Sequence, residues 1–98
     1  MAEKHKVIGV RQDGRLDLYL DGNKLDPAKS QKVWNHSPDG FNAGYGGSGP
    51  AQSALAILLE ITDEQGAVLE HQTFKWEYLA KHEYLNAPRF EFEFVWGV

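Results

Sequence analysis

Residues 50–61, which read PAQSALAILLEI, contain the longest uninterrupted apolar run of the chain, at positions 54–59. Pro50 is typical of the first turn of a helix, where its missing N–H donor has no helical partner to lose. Plotted as a helix, the segment is apolar apart from one narrow strip, which comprises Gln52, Ser53, Ala56 and Glu60. A helix that is apolar over most of its circumference is buried on several sides. The segment therefore predicts the central element of the fold.

The chain just before this helix is rich in glycine. Four of the 10 glycines lie within residues 44–49, GYGGSG, which indicates a local demand on backbone geometry. One interpretation is a tight turn that lets Tyr45 or Pro50 pack closely. The other is an anion site made by the unpaired N–H groups of the helix start. The formal G-x-G-x-x-G match predicts no dinucleotide fold, because it lacks the preceding strand and the βαβ unit.

Polar side chains gather near this glycine-rich loop. His36 is the group there whose charge changes near neutral pH. We expect any ligand-binding site to lie here and to use His36, Tyr45, Gly46, Gly47, Ser48, Gly49 and Gln52. The structural alternative is that residues 35–37 only form hydrogen bonds with the backbone of the turn. Apart from Asp39, the sequence offers no acid that would orient His36 towards a serine, so we assign no catalytic residue.

Strands are predicted at both ends of the chain. Two apolar-alternating segments flank Asp13-Gly14, a dipeptide that favours a type I′ hairpin turn. Residues 90–96, FEFEFVW, place aromatic side chains on one face and two glutamates on the other. Val33-Trp34 is interpreted as a further short strand. We expect the polar residues 1–4 to fray.

Two further helices are indicated. Asp26-Pro27 predicts a short helical turn that runs through Gln31. Thr62 and Gln65 have the spacing of a capping box, which predicts a second main helix from there to Lys81 or His82. The resulting class is α+β: a small antiparallel sheet, made of the N-terminal hairpin and the C-terminal strand, is covered by two helices.

Composition excludes several functions. The 98 residues correspond to a single domain spanning 1–98, and the absence of cysteine excludes disulfide scaffolds and thiol catalysis. The net charge of −4 argues against nucleic acid as a partner, and no apolar run is long enough for a membrane. No histidine pair has ligand spacing, so we expect neither metal nor cofactor. We expect a cytoplasmic monomer or homodimer.

Residues 35–41 (NHSPDGF), 44–52 (GYGGSGPAQ) and 54–56 (ALA) together resemble the signature of a family of small bacterial and phage proteins of unknown function. Gln72, Phe74 and Lys75, followed by Leu79-Ala80, are similar to its second helix. Ala43 and Ser53 depart from the pattern, which usually has Trp and Leu there. The resemblance implies an accessory role, such as inhibition of a host system.

Three functions follow from these observations. The first is a non-enzymatic module that binds a small anionic or nucleotide-like ligand at the glycine-rich helix start. The second is a protein-interaction module, such as a phage-type inhibitor or an accessory subunit, which would use an acidic helical face or a sheet edge. The third is an enzyme that uses His36 and a serine, for which no acid, metal set or nucleophile elbow is apparent.

Overall fold

A computed structural model describes residues 2–97 of the chain. Its strands are β1 (Glu3–Gln12), β2 (Arg15–Leu20), β3 (Asn23–Lys24) and β4 (Arg89–Trp96). Its α-helices are α1 (Pro27–Val33), α2 (Ser48–Ile61) and α3 (Glu64–Phe74). A π-helical segment, Lys75–Leu79, continues α3, and a 3-10 turn follows at His82–Tyr84. The α+β class is thereby confirmed.

The sheet is antiparallel and has the strand order β3-β2-β1-β4. The hairpin between β1 and β2 turns at Asp13 and Gly14, whose φ angles are 52° and 76°. Positive φ at both positions is the type I′ geometry that matches the twist of the flanking strands. A second Asp-Gly turn, at Asp21 and Gly22, has φ of 50° and 86° and adds the short strand β3. The predicted hairpin is confirmed and extended by one strand.

The two faces of the sheet differ sharply in chemistry. The covered face carries Val7 of β1, the three leucines of β2, and the buried rings of Phe90 and Phe94 in β4. The open face carries ion pairs between β1 and β4, from Lys4 Nζ to Glu93 at 3.2 Å and from Lys6 Nζ to Glu91 at 2.8 Å. The alternation of aromatic and acidic residues in β4 therefore separates core from solvent, as the sequence predicts.

Helix α2 lies at the centre of the molecule, and residues 49–58 are all buried. The sheet, α1, α3 and the π segment all contribute to the core around it. A second part of the core is aromatic: the Phe74 ring meets the Phe94 ring edge-on at 4.9 Å and lies 4.8 Å from the Tyr78 ring. Because edge-to-face pairs add to simple burial, this cluster fixes α3 on β4.

Several local predictions are wrong. Val33 ends α1 and Trp34 caps it, so the short strand expected there does not form. The N-cap of α3 is Asp63, whose side chain accepts from Gly66 N at 2.8 Å, while Thr62 closes α2. The long second helix changes its hydrogen-bond pattern at Lys75 and ends at Leu79. By contrast, Asp26 caps the short helix α1 as expected, through Ala28 N at 2.9 Å.

Regular structure begins closer to the N-terminus than the polar composition of residues 1–4 suggests. Glu3 and Lys4 pair with Trp96 and Val95 of β4, so β1 already includes two of the four residues expected to fray. Met1 lies outside the described residues. Among residues 2–97, no helix combines the length and the apolar character needed to cross a membrane.

Candidate functional site

The candidate site is built around the start of α2. The N-cap of this helix is Gly47, and no side chain within residues 2–97 caps it. The first N–H groups of a helix have no intrahelical acceptor, and the helix dipole places partial positive charge at this end. Ser48, the first residue of α2, is exposed. The helix start is therefore electropositive and open at its first residue.

Aromatic rings pack closely against the glycines at the start of α2. A Cβ atom at Gly46 would collide with the Trp76 ring, and one at Gly47 would lie 2.5 Å from the Tyr45 ring. At Gly49 a Cβ would lie 2.5 Å from Asn42 Cβ and 2.8 Å from the Tyr45 hydroxyl. None of these three glycines has positive φ. Close approach of rings to backbone, and not an unusual turn, therefore explains most of the cluster.

Gly44 has a different role. Its φ is +98°, and a Cβ there would collide with the backbone of Leu85. Its N–H donates to Leu79 O at 2.8 Å. On the other side of the same loop, Arg11 donates to Asn42 Oδ1 at 2.9 Å. The loop is thus fixed from several sides before α2 begins.

The π segment brings a lysine to this loop. Ala80 N donates to Lys75 O at 2.9 Å, a wide turn of the kind that often occurs at functional sites. The Lys75 side chain is only 6% exposed, and its Nζ donates to Gly46 O at 3.1 Å. The same Nζ lies 4.6 Å from the centre of the Trp76 ring. No Asp or Glu within residues 2–97 forms an ion pair with Lys75.

A histidine pair lies nearby. His71 Nδ1 is 2.6 Å from Val68 O, and because a carbonyl only accepts, this nitrogen carries the proton. In the neutral imidazole with this tautomer, His71 Nε2 accepts from His36 Nε2, at 2.9 Å. The His36 ring also stacks on Trp34 with centroids 4.4 Å apart. Burial, then His71, then the charge of Lys75 lower the pKa of His36, which therefore stays neutral at pH 7.

Gln52 organises the backbone beside this pair. Its Oε1 accepts from His36 N at 2.7 Å and from Ser37 N at 2.9 Å. Its Nε2 donates to Ser30 Oγ at 2.8 Å and to Trp34 O at 3.1 Å. These four bonds use the full capacity of the amide, and the side chain is completely buried. Gln52 therefore positions His36 and has no polar group left for a ligand.

The structure brings the expected residues together in two groups. Tyr45, Gly46, Gly47, Ser48 and Gly49 form the loop and the helix start. His36 and Gln52 form the second group, in which Gln52 Oε1 accepts from His36 N, and the charge of Lys75 acts on His36. The sequence interpretation missed four residues of the site, namely Trp34, His71, Lys75 and Trp76. For Lys75 a signal existed, because it follows His71 by four residues and precedes Leu79 by four, along the buried side of the helix.

Within residues 2–97, no three His, Asp or Glu side chains converge on a point that could hold a metal ion. The titratable groups of the site are instead His36, His71 and Lys75. Of these groups Lys75 offers positive charge, and exposed aromatic rings lie beside it.

Fold and site together define a small α+β domain in which a glycine-rich loop, clamped by aromatic rings, leads into a buried central helix. Residues 7–92 match the family model described as "Family of unknown function (DUF6166)", and the chain belongs to this family. The match runs from β1 into β4 and includes the whole candidate site. Comparison with curated proteins gave no match, and comparison with solved structures gave none.

Proposed function

We propose that this protein is a small binding module that takes an anionic, ring-containing ligand of nucleotide-like chemistry at the start of α2. The observation that carries the proposal is Lys75, a buried ammonium group beside an uncapped helix start with no carboxylate partner within residues 2–97. Removing an ammonium group from water is costly unless an opposite charge approaches. An anionic ligand would supply that charge where the helix dipole also favours it.

Exposed aromatic rings support the ring-containing part of the ligand. Trp34 is 49% exposed, Tyr45 39% and Trp76 63%. Trp76 also lies next to the Lys75 ammonium, so a ring stacked there would be close to the bound anion. Stacking on an exposed aromatic contributes about 1–3 kcal/mol per base in single-stranded nucleic acid binding, and it discriminates little between bases.

Binding is tested by following the backbone amide resonances of the non-proline residues among 46–52 during titration with AMP, adenosine and inorganic phosphate. AMP should shift these amides most, because it alone offers both the anion and the ring. Lys75→Met should weaken AMP binding by about tenfold, since one charge-assisted contact is lost. Methionine is apolar and of similar length, so this variant should remain folded.

Lys81→Met is the matched control, because Lys81 is an exposed lysine six residues further along the chain. It should bind AMP like the unmodified protein. If none of the three probes shifts the amides of residues 46–52, the proposal is refuted. Unchanged affinity in Lys75→Met would show that Lys75 does not carry the binding.

A protein-interaction module is the second candidate, and the exposure of Leu69 favours it. This leucine of α3 is 78% exposed, and it is flanked by the acidic residue Glu70, with Glu77 one heptad further along. A basic partner with an apolar contact would suit such a surface. The double variant Glu70→Lys/Glu77→Lys should abolish partner capture from a host lysate, whereas Ser48→Ala should not. Equal capture by both variants would contradict this use of the surface.

A further inference from the structure

A cavity of about 390 Å³ lies apart from the site at α2 and shares no residue with it. It is bounded by the start of β2, by the junction between β3 and α1, and by the turn at residues 39–41. Cavities of roughly 300–1,000 Å³ are typical of small-molecule sites. Two segments that the sequence singles out, Asp26-Pro27 and Asp39-Gly40-Phe41, line it without taking part in the function proposed above.

The walls of this cavity are fixed by hydrogen bonds. Leu25 N donates to Leu18 O at 2.9 Å, which holds the β3–α1 junction on β2. Leu16 and Phe41 form an isolated antiparallel bridge. Gln31 Nε2 donates to Ser37 O at 2.8 Å and so ties α1 to the start of the turn. The cavity is therefore preformed, and Leu16, Leu25 and Phe41 give it an apolar floor.

The rim carries charges of both signs, and two of them have no partner within residues 2–97. Lys24 lies 3.8 Å from Asp17, and the Asp26 carboxylate accepts from Ala28 N. Arg15 and Asp39 form neither an ion pair nor a side-chain hydrogen bond with any group of residues 2–97. Arg15 and Asp39 therefore line the same cavity as the three buried apolar residues.

We propose that this cavity binds a free α-amino acid with an apolar side chain. The ligand carboxylate would meet the Arg15 guanidinium, which suits bidentate recognition, and its ammonium would meet the Asp39 carboxylate. The apolar side chain would cover the floor at Leu25 and Phe41. A ligand that carries only one charge could pair with only one of Arg15 and Asp39. An extended peptide strand would need a free edge of β2, which the bridge at Leu16 and the bond to Leu18 O already occupy.

The proposal is tested by titrating the full chain with norleucine, N-acetylnorleucine and norleucine amide while the amides of Leu25, Gly40 and Phe41 are observed. Norleucine should shift all three amides. The acetylated probe lacks the ammonium and the amide probe lacks the carboxylate, so each should bind about tenfold more weakly.

Two variants assign the two charges separately. In Asp39→Asn, norleucine should bind no better than its acetylated form. In Arg15→Gln, it should bind no better than the amide. Arg89→Gln changes an exposed arginine of β4 and should preserve both preferences. Absence of shifts with norleucine, or equal binding of all three probes to the unmodified protein, would overturn the proposal.

Discussion

Replacing Gln52 with methionine should remove about 3–4 kcal/mol from the free energy of unfolding. The buried amide makes four hydrogen bonds, to His36 N, Ser37 N, Ser30 Oγ and Trp34 O. Each contributes about 1 kcal/mol net, and a partner left buried without a bond costs more. His36 and Ser37 are only half-buried, so water recovers part of the loss. Methionine matches the length of glutamine and adds no large cavity.

Urea unfolding followed by circular dichroism measures this loss. Gln65→Met is the matched control, because Gln65 is exposed in the first turn of α3. The control should change the unfolding free energy by less than about 0.5 kcal/mol. Hydrogen exchange adds a local readout: the amides of His36 and Ser37 should lose protection relative to those within α2.

A loss below about 1 kcal/mol for Gln52→Met would refute the reasoning, since the four bonds could then not be contributing individually. A larger loss would also refute the reasoning if it left the relative hydrogen-exchange protection of the His36 and Ser37 amides unchanged. The second outcome would mean that packing around residue 52, and not its hydrogen bonds, stabilises the loop.

Two further changes test the loop and its histidine. Gly44→Ala forces a side chain into positive φ against the Leu85 backbone and should cost about 2–3 kcal/mol in urea unfolding. Gly46→Ala meets only the far edge of the exposed Trp76 ring, which can swing outward, so it should cost less than about 1 kcal/mol but change tryptophan fluorescence; equal losses would contradict this difference. Because the folded state lowers the pKa of His36, the unfolded chain takes up the proton first, and stability should fall as pH drops below 6.5, towards the folded pKa. Stability measured between pH 8 and pH 5 should show this fall, and His36→Asn should reduce it; an identical pH profile in the variant would exclude His36 as the cause.

Much of the architecture follows from short-range patterns in the chain. Asp13-Gly14 predicts its own turn, because both positions tolerate positive φ. The alternation in β4 predicts which side is covered, and the apolar circumference of α2 predicts its central place. In each case neighbouring residues decide the outcome, so no distant contact has to be known.

The failures arise where distant contacts decide. The widened turn at Lys75 becomes favourable because the lysine donates to the Gly46 carbonyl and because Leu79 O, at the end of the π segment, accepts from Gly44 N. No local pattern encodes these two contacts. Similarly, Asp63 caps α3 in place of Thr62, because Thr62 is used to close α2. Two adjacent residues compete there, and the junction of two helices determines which one caps.

Gln52 shows the limit for the candidate site. Its place on the polar strip of the central helix is visible in the sequence and suggests a residue that faces a ligand. Three of its four partners are main-chain groups of the segment that joins α1 to the loop, and the fourth is the Ser30 hydroxyl. Whether a polar side chain faces a ligand or the protein's own backbone depends on how that segment folds. The spacing of polar residues along the helix does not encode this.

The two-faced strand β4 makes this protein unusually intolerant of changes in chain length at its C-terminal side. Deleting or inserting a single residue between Arg89 and Phe94 would rotate every later side chain to the opposite face. The aromatic row would then enter water, and Glu91 or Glu93 would face α3 and the Phe74 cluster. A substitution at one of these positions alters the contacts of one side chain, whereas an insertion or deletion of one residue exchanges the buried and exposed faces along the rest of the strand.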